Sequence, residues 1–261
     1  MKHLDLRFEA GVATVTLNRP DVRNAFNDEV IGELTGAIVE YGDRPEVRCI
    51  VLAGNGPAFC AGADLNWMKR MATYTHEQNV EDARALANML RVLYRCPKPT
   101  IARVHGDTYA GGMGLVAACD IAVSVDTANY CLSEVKLGLI PATISPYVIR
   151  AMGPRAAHRY FLTAERFSAA EALRIGFVHE VVPAAELDAR VSAIAQSLLA
   201  AGPGALKACK ELVQDVADRE IDHVLVERTV KGIADIRVTE EGREGIQSFL
   251  GKRQPAWLAQ G

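Results

Sequence analysis

The chain has 261 residues, 49% of them hydrophobic and 23% charged, the composition of a water-soluble globular protein. Its 29 Lys and Arg against 32 Asp and Glu leave a formal charge of −3, which excludes the basic footprint of a nucleic-acid-binding protein. No apolar run approaches the roughly 20 residues of a membrane helix. Met1–Glu9 carries charges at Lys2, Asp5, Arg7 and Glu9 where a secretory signal would be apolar. The expectation is a cytoplasmic enzyme with no nucleic acid and no membrane among its partners.

The first half of the chain alternates short strands with helices. Val12–Leu17 reads as a strand and is followed by the turn Asn18-Arg19-Pro20-Asp21. Phe26, Val30, Leu34 and Ile38 recur at helical spacing, which predicts a helix over about Asn24–Tyr41. Cys49–Leu52 has the character of a buried strand, closed by Gly54-Asn55-Gly56-Pro57. The loop Phe59-Cys60-Ala61-Gly62-Ala63-Asp64 follows, then a polar region to about Gln78. Val80–Tyr94 is helical and ends before Pro97 and Pro99, and Thr100–Val104 starts the next strand.

A second Gly-rich stretch, Tyr109-Ala110-Gly111-Gly112-Met113-Gly114, opens a helix that runs through Ala118. Ile121–Val125 and Asn129–Leu132 are again strand-like, and from Pro154 onward the chain reads almost wholly as helices. The pattern is an α/β core over residues 1–195 and a helical C-terminal region over 196–261.

The six cysteines, Cys49, Cys60, Cys96, Cys119, Cys131 and Cys209, show no CxxC pair and no His at zinc-ligand spacing. They read as free thiols packed as small apolar residues.

Two Gly-rich loops, each after a strand and each leading into a helix, carry the chemical signal. N–H groups at a helix start lack intrahelical partners, and the helix dipole adds partial positive charge there. Gly111-Gly112 removes the Cβ atoms that would keep a ligand away, and Gly62-Ala63 offers a second donor. Converging on one oxygen, two such donors form an oxyanion hole, worth several kcal/mol per donor. Either loop alone reads as a tight turn. Gly112–Ala117 also matches G-x-G-x-x-A, with Glu134 20 residues after Gly114. A dinucleotide unit needs a longer crossover than Gly111–Cys119, however, which excludes that reading.

Glu134, within Leu132-Ser133-Glu134-Val135-Lys136-Leu137-Gly138-Leu139-Ile140-Pro141, sits among apolar residues. Such surroundings raise a carboxyl pKa toward acid/base work, although an exposed Glu paired with a cation is the commoner outcome. Asp64 reads equally as an N-cap, and Asp120 as a local cap or ion-pair partner. His105, His158, His179 and His223 have no visible partners and read as structural.

Taken in order, these segments resemble the enoyl-CoA hydratase/isomerase (crotonase) family. The resemblance runs through Leu17-Asn18-Arg19-Pro20 with Asn24-Ala25, Phe59–Asp64, Ala110-Gly111-Gly112 with Ala118-Cys119-Asp120-Ile121, Glu134 to Pro141, and Ala169, Ala172 and Gly176-Phe177-Val178. It implies the ClpP/crotonase-like spiral of ββα units with a helical C-terminal trimerisation region. It also implies a homotrimer or a homohexamer built as a dimer of trimers. The substrate it implies is an acyl-CoA thioester, with no cofactor beyond the coenzyme A of the substrate and no metal.

The oxyanion donors then fall on the backbone N–H groups of Ala63 and Gly111, with Glu134 as the acid/base. Coenzyme A lies along Arg19–Asn24 and Ala61–Asp64, so that Arg23, Ala25, Ala61, Asp64, Leu65 and Gly112 contact the substrate. Arg23 is the candidate for a phosphate contact, with a plain surface arginine as the alternative. Phe249 and Lys252 contact the nucleotide end, often across a subunit boundary, and Thr143 lines the acyl pocket.

Two-glutamate hydratases of this family carry their first glutamate where this chain has Gly114. A single glutamate suits an enoyl-CoA isomerase, and it also permits hydration if Glu134 both activates the water and returns the proton. Asp64 and Tyr109 are the nearest candidates for a second group. Ala61–Met71 and Leu139–Tyr147 resemble bacterial methylglutaconyl-CoA-hydratase-like proteins of leucine breakdown, which favours hydration. A carboxylate-bearing acyl chain would draw on Lys69, Arg70, Thr143 or Ser145, the first two reading equally as a solvated helix face. A non-catalytic acyl-CoA-binding homologue is the remaining alternative.

Overall fold

A computed structural model describes residues 1–258. A six-stranded sheet has the order β1-β2-β3-β5-β7-β10, and a four-stranded sheet has the order β4-β6-β8-β9. In the large sheet β1 (Leu4–Glu9) and β2 (Val12–Leu17) are antiparallel. β2 then pairs in parallel with β3 (Cys49–Gly54), β3 with β5 (Thr100–Val104), β5 with β7 (Ile121–Val125) and β7 with β10 (Glu180–Val182). The small sheet runs parallel through β4 (Ala58–Cys60), β6 (Asp107–Tyr109) and β8 (Asn129–Cys131), and β9 (Phe167–Ser168) closes it antiparallel.

The chain therefore repeats one move three times: a strand in the large sheet, a few turn residues, a short strand in the small sheet, then helix. β3 and β4 lead to α2 (Leu65–Met71) and α3 (His76–Tyr94), β5 and β6 lead to α4 (Gly111–Ala118), and β7 and β8 lead through a 3-10 turn to α5 (Ser145–Thr163). Both Gly-rich loops thus leave the small sheet at equivalent places, from the neighbouring strands β4 and β6. This is the ββα spiral that the resemblance implied.

β3 lies inside the sheet with all six residues buried, as its unbroken apolar run requires. α1 (Asp28–Asp43) turns Val30, Ile31, Leu34, Ala37, Ile38 and Tyr41 inward, an i, i+3, i+4 stripe. Full burial of each Leu or Ile contributes about 2 kcal/mol.

Some boundaries move. The first helix starts at Asp28, not Asn24, because Arg23 and Asn24 take left-handed φ values of 53° and 54° and Asn27 caps the helix through Val30 N–H at 3.1 Å. α3 starts at His76, not Val80, where Thr75 and Gln78 form a reciprocal capping box. β1 was hidden by its alternating charges. α5 is broken at Gly153 (φ 77°), just before Pro154. All six cysteines are free, five of them buried and Cys209 exposed.

Position 195 falls inside α7 (Leu187–Ala200), which packs on β3, β5 and β7. Beyond it α8 (Pro203–Val216), α9 (His223–Val238) and α10 (Glu240–Leu250) lie on the outside. α8 buries no residue, α9 only Leu225 and α10 only Ser248. Asp120 ties α8 to the core, accepting from Thr100 N–H at 2.7 Å and pairing with Lys210 Nζ at 2.7 Å. Among the described residues, no helix is long and apolar enough to cross a membrane, and no group of three or more His, Cys, Asp or Glu could hold a metal ion.

Candidate active site

The first loop is held by a short backbone ladder. Ala61 N–H donates to Arg23 C=O (2.9 Å), Phe26 N–H to Gly62 C=O (2.9 Å) and Asp64 N–H to Phe26 C=O (3.0 Å). This register uses the groups on either side of Ala63 and leaves the Ala63 N–H without a partner among the described residues. Asp64 is 4% exposed and caps α2, accepting from Asn66 N–H (2.7 Å) and Trp67 N–H (3.3 Å) through Oδ1. Its Oδ2 receives Arg19 Nη2 at 2.9 Å, and Arg19 Nη1 donates to Ala25 C=O. Burial pushes the Asp64 carboxyl up, but the bonds from Asn66, Arg19 and Trp67 outweigh it and hold the carboxyl below its usual value.

The second loop ends at Ala110, held at φ 47° and ψ −120°, a costly region for a residue with a Cβ. The strain aims Gly111 and Gly112 back at the first loop. A Cβ on Gly62 would lie 3.4 Å from Gly111 N and 2.9 Å from Ala110 Cβ, so the two loops touch. A Cβ on Gly112 would lie 2.6 Å from Cys60 C=O, and one on Gly111 would lie 2.3 Å from the Phe26 ring. Only glycine fits at either position. Gly111 N–H, at the first position of α4, is likewise without a partner among the described residues. Cys60 behind the loops is a packed thiol: it donates to Asn24 C=O at 3.2 Å, and burial pushes its pKa up to about 12.

Ala63 and Gly111 both line one cavity of about 830 Å³. Ala61, Ala63, Gly111 and Glu134 line it, with walls from Phe26, Trp67, Met68, Met71, Leu86 and Ile144 and a rim of Leu65, Leu137, Leu139 and Ile140. Glu134 opens a 3-10 turn, Glu134–Leu137, closed by Gly138 in the left-handed region at φ 72°. Its Oε2 is buried and has no hydrogen-bond partner, and burial raises its pKa. A buried, unpaired carboxylate oxygen in an apolar cavity has the makings of a general base.

Gly114 is the position to which the resemblance assigns a second glutamate. A Cβ on Gly114 would lie 2.3 Å from Ile144 Cγ2 and 2.8 Å from its Cβ, so an aliphatic side chain fills that place. Tyr109 is not free to substitute, because its hydroxyl donates to Asp107 at 2.6 Å and its pKa is pushed up to about 12, by burial first and then by that carboxylate. Asp64 is engaged as described. The remaining lining acid is Asp82 on α3, which accepts Trp67 Nε1–H at 2.8 Å and whose pKa is raised by burial.

Thr143 lines the cavity, whereas the Ser145 hydroxyl donates to Ala142 C=O at 2.8 Å. Lys69 and Arg70 are exposed and do not line it, and Arg70 pairs with Asp28 at 2.5 Å. Arg23 is exposed, Ala25 and Gly112 are buried, and Leu65 is 74% exposed at the mouth. Phe249, 82% exposed, and Lys252 lie at the end of α10 and are not brought to the cavity within one chain. His105 bonds Gly56 C=O and His179 accepts Ala122 N–H, both away from the cavity. The stretch Ala142-Thr143-Ile144, which the sequence puts in the acyl pocket, lines the cavity, whereas sequence reasoning missed Asp82 and the bonds of the Arg19 side chain. For Arg19 the Asn-Arg-Pro turn was a signal, without its partner.

This geometry has known counterparts. The family model described as enoyl-CoA hydratase/isomerase matches residues 7–260. The chain belongs to the enoyl-CoA hydratase/isomerase family. It is 33% identical to the enoyl-CoA hydratase ACTT6 of Alternaria alternata, over 95% of this chain and 82% of that one. It is 29% identical to the crotonyl-CoA hydratase of Syntrophomonas wolfei, over 99% and 98% of the two chains. The crystal structure of an enoyl-CoA hydratase from Shewanella pealeana superposes with a TM-score of 0.95 at 43% identity, covering 98% of this chain and 96% of that one. The crotonase fold is shown by the same match.

Proposed function

We propose that this family member hydrates a 2-enoyl-CoA thioester. The observation that carries the reading is the cavity in which the free N–H groups of Ala63 and Gly111 and the unpaired Glu134 carboxylate meet. The thioester oxygen accepts from both N–H groups. Glu134 takes a proton from a water as its oxygen bonds to C3, the C2=C3 electron pair moves to form the enolate, and Glu134 returns the proton to C2. Water is thereby added in full, and the charge that develops on oxygen meets fixed donors. This reading assigns no cofactor beyond the coenzyme A carried by the substrate.

The walls favour an acyl chain that is apolar near the reacting carbons, since Ile144, Met68, Met71 and Leu86 surround it and no lining residue is cationic. A carboxylate-bearing chain such as 3-methylglutaconyl would draw on Thr143, and on Arg70 only if Arg70 left Asp28. The exposed apolar side chains of α8–α10, among them Val213, Val230, Ile233 and Phe249, support association of the chain into trimers through this region.

A specific observation favours a second reading. With Ile144 in place of a second carboxylate, one base could instead move a proton from C4 to C2 of a 3-enoyl-CoA. The test follows the ultraviolet absorbance of the conjugated 2-enoyl thioester. Hydration removes it from crotonyl-CoA or 3-methylglutaconyl-CoA, whereas isomerisation creates it from a 3-enoyl-CoA. Loss of absorbance supports hydration and its appearance alone overturns it.

A further inference from the structure

Asp64 is a carboxylate placed one residue from an oxyanion donor. It is 4% exposed, and its oxygens are taken by Asn66 N–H, Trp67 N–H and Arg19 Nη2. This anchoring fixes the end of the loop, while Phe26 fixes the residues on both sides of Ala63. The same anchor carries a cost, because a buried negative charge beside a forming enolate raises the energy of that enolate in a medium of low dielectric constant.

Arg19 answers that cost. Its guanidinium spans the two segments of the ladder, donating to Asp64 Oδ2 at 2.9 Å and to Ala25 C=O, and its side chain is only 18% exposed. Its backbone N–H donates to Asn24 Oδ1 at 2.9 Å, while Asn24 Nδ2 holds the carbonyls of Asn55 and Ala58, so the turn that carries the Arg19 side chain is itself pinned to the neighbouring loop.

We propose that Arg19 is a positioning residue whose task is to cancel the Asp64 charge beside the Ala63 donor, so that the loop keeps its carboxylate anchor without opposing the enolate. The proposal rests on the enolate chemistry proposed above and adds a charge relation that makes opposite predictions for the two partners.

The test uses the full-length protein with the variants Arg19→Gln, Asp64→Asn and the double variant. The first readout is kcat and KM on the best 2-enoyl-CoA. The second is the pH at which bound acetoacetyl-CoA ionises to its enolate, followed by its ultraviolet band. Arg19→Gln leaves an unpaired carboxylate and is expected to lower kcat about 10- to 100-fold with KM changed less than about threefold. It moves the enolate ionisation to higher pH. Asp64→Asn keeps an N-capping side chain but leaves the cation, so its enolate ionises at lower pH. The double variant returns toward the parent in both readouts.

A structural role alone would move both single variants in the same direction, and that result overturns the proposal. Unchanged kcat in Arg19→Gln also overturns it. Should that variant not fold, the direction of the Asp64→Asn shift alone decides, a shift to higher pH being contrary. The acetoacetyl-CoA titration needs no turnover, so a failed hydration assay with the predicted opposite shifts would reject the hydratase reading and leave this proposal standing.

Discussion

Gly114 and Ile144 occupy one volume between them: a Cβ at position 114 would lie 2.3 Å from Ile144 Cγ2. The glycine is thus required by a side chain that arrives from the loop ahead of α5, not by the backbone of α4. The pair puts a buried aliphatic group on the cavity wall and leaves Glu134 to work without a second glutamate at this place.

The relation reverses the usual ranking of glycine and alanine in a helix. Gly114→Ala should gain up to about 1 kcal/mol of helix propensity and lose about 1–3 kcal/mol to overpacking, so the variant should be less stable. In an Ile144→Gly background both Cγ2 and Cβ are gone, the next atom being Leu90 Cδ2 at 3.5 Å, and the same substitution should stabilise. Ile144→Val keeps Cβ and Cγ2 and should give no relief. Chemical denaturation of the four combinations tests the reversal of sign. Destabilisation by Gly114→Ala in both backgrounds would contradict the packing.

Replacing Glu134 by Gln keeps shape and removes the base. Turnover should fall by about 10²–10⁴-fold, with circular dichroism and acyl-CoA binding unchanged. Binding that fell with turnover would mean that Glu134 holds the loop instead of moving a proton.

Much of this site was legible in the sequence, for a physical reason. Gly62-Ala63 and Gly111-Gly112 each follow a strand and precede a helix, so local rules offer free N–H groups at both, although each loop taken alone reads equally as a tight turn. The apolar run around Glu134 made a raised pKa one of two readings, the other being an exposed ion pair, and burial in the fold decides for the first. Neither loop reveals alone that it touches the other, because that contact comes from β4 and β6 lying side by side. The Arg19–Asp64 pair and the Gly114–Ile144 packing join residues that only the spiral brings together. The helix start misread at Asn24 has a local cause, since periodicity cannot see the two left-handed residues at Arg23 and Asn24.

Burial raises the Glu134 pKa, and the sign of its pH effects follows. The base must be ionised, so kcat/KM should fall on the acid side through a pKa above the ordinary 4.5. Stability runs the other way. A raised folded-state pKa gives stability that is present below 4.5 and lost as pH rises through the folded value. Glu134→Gln should therefore be more stable than the parent at neutral pH, with the difference vanishing in acid. Thermal unfolding of both proteins across this range checks it, and a variant less stable at neutral pH would show that the carboxylate has an ionic partner.

Gly112→Ala should drive a methyl group into Cys60 C=O, 2.6 Å away, and push the two loops apart. Loss of one oxyanion donor costs about 10²–10³ in kcat, and a fall of that order with folding retained is expected. Equal turnover in the variant would mean that Gly111 N–H does not hold the thioester oxygen.

In the proposed reaction one carboxylate and two backbone N–H groups suffice to add water. Mass spectrometry of products formed in ¹⁸O-labelled water tests it most directly, with crotonyl-CoA, 3-methylglutaconyl-CoA and a 3-enoyl-CoA as substrates. The expected product is a 3-hydroxyacyl-CoA carrying the labelled oxygen, absent from Glu134→Gln. A product of unchanged mass, formed from the 3-enoyl-CoA alone, would contradict it.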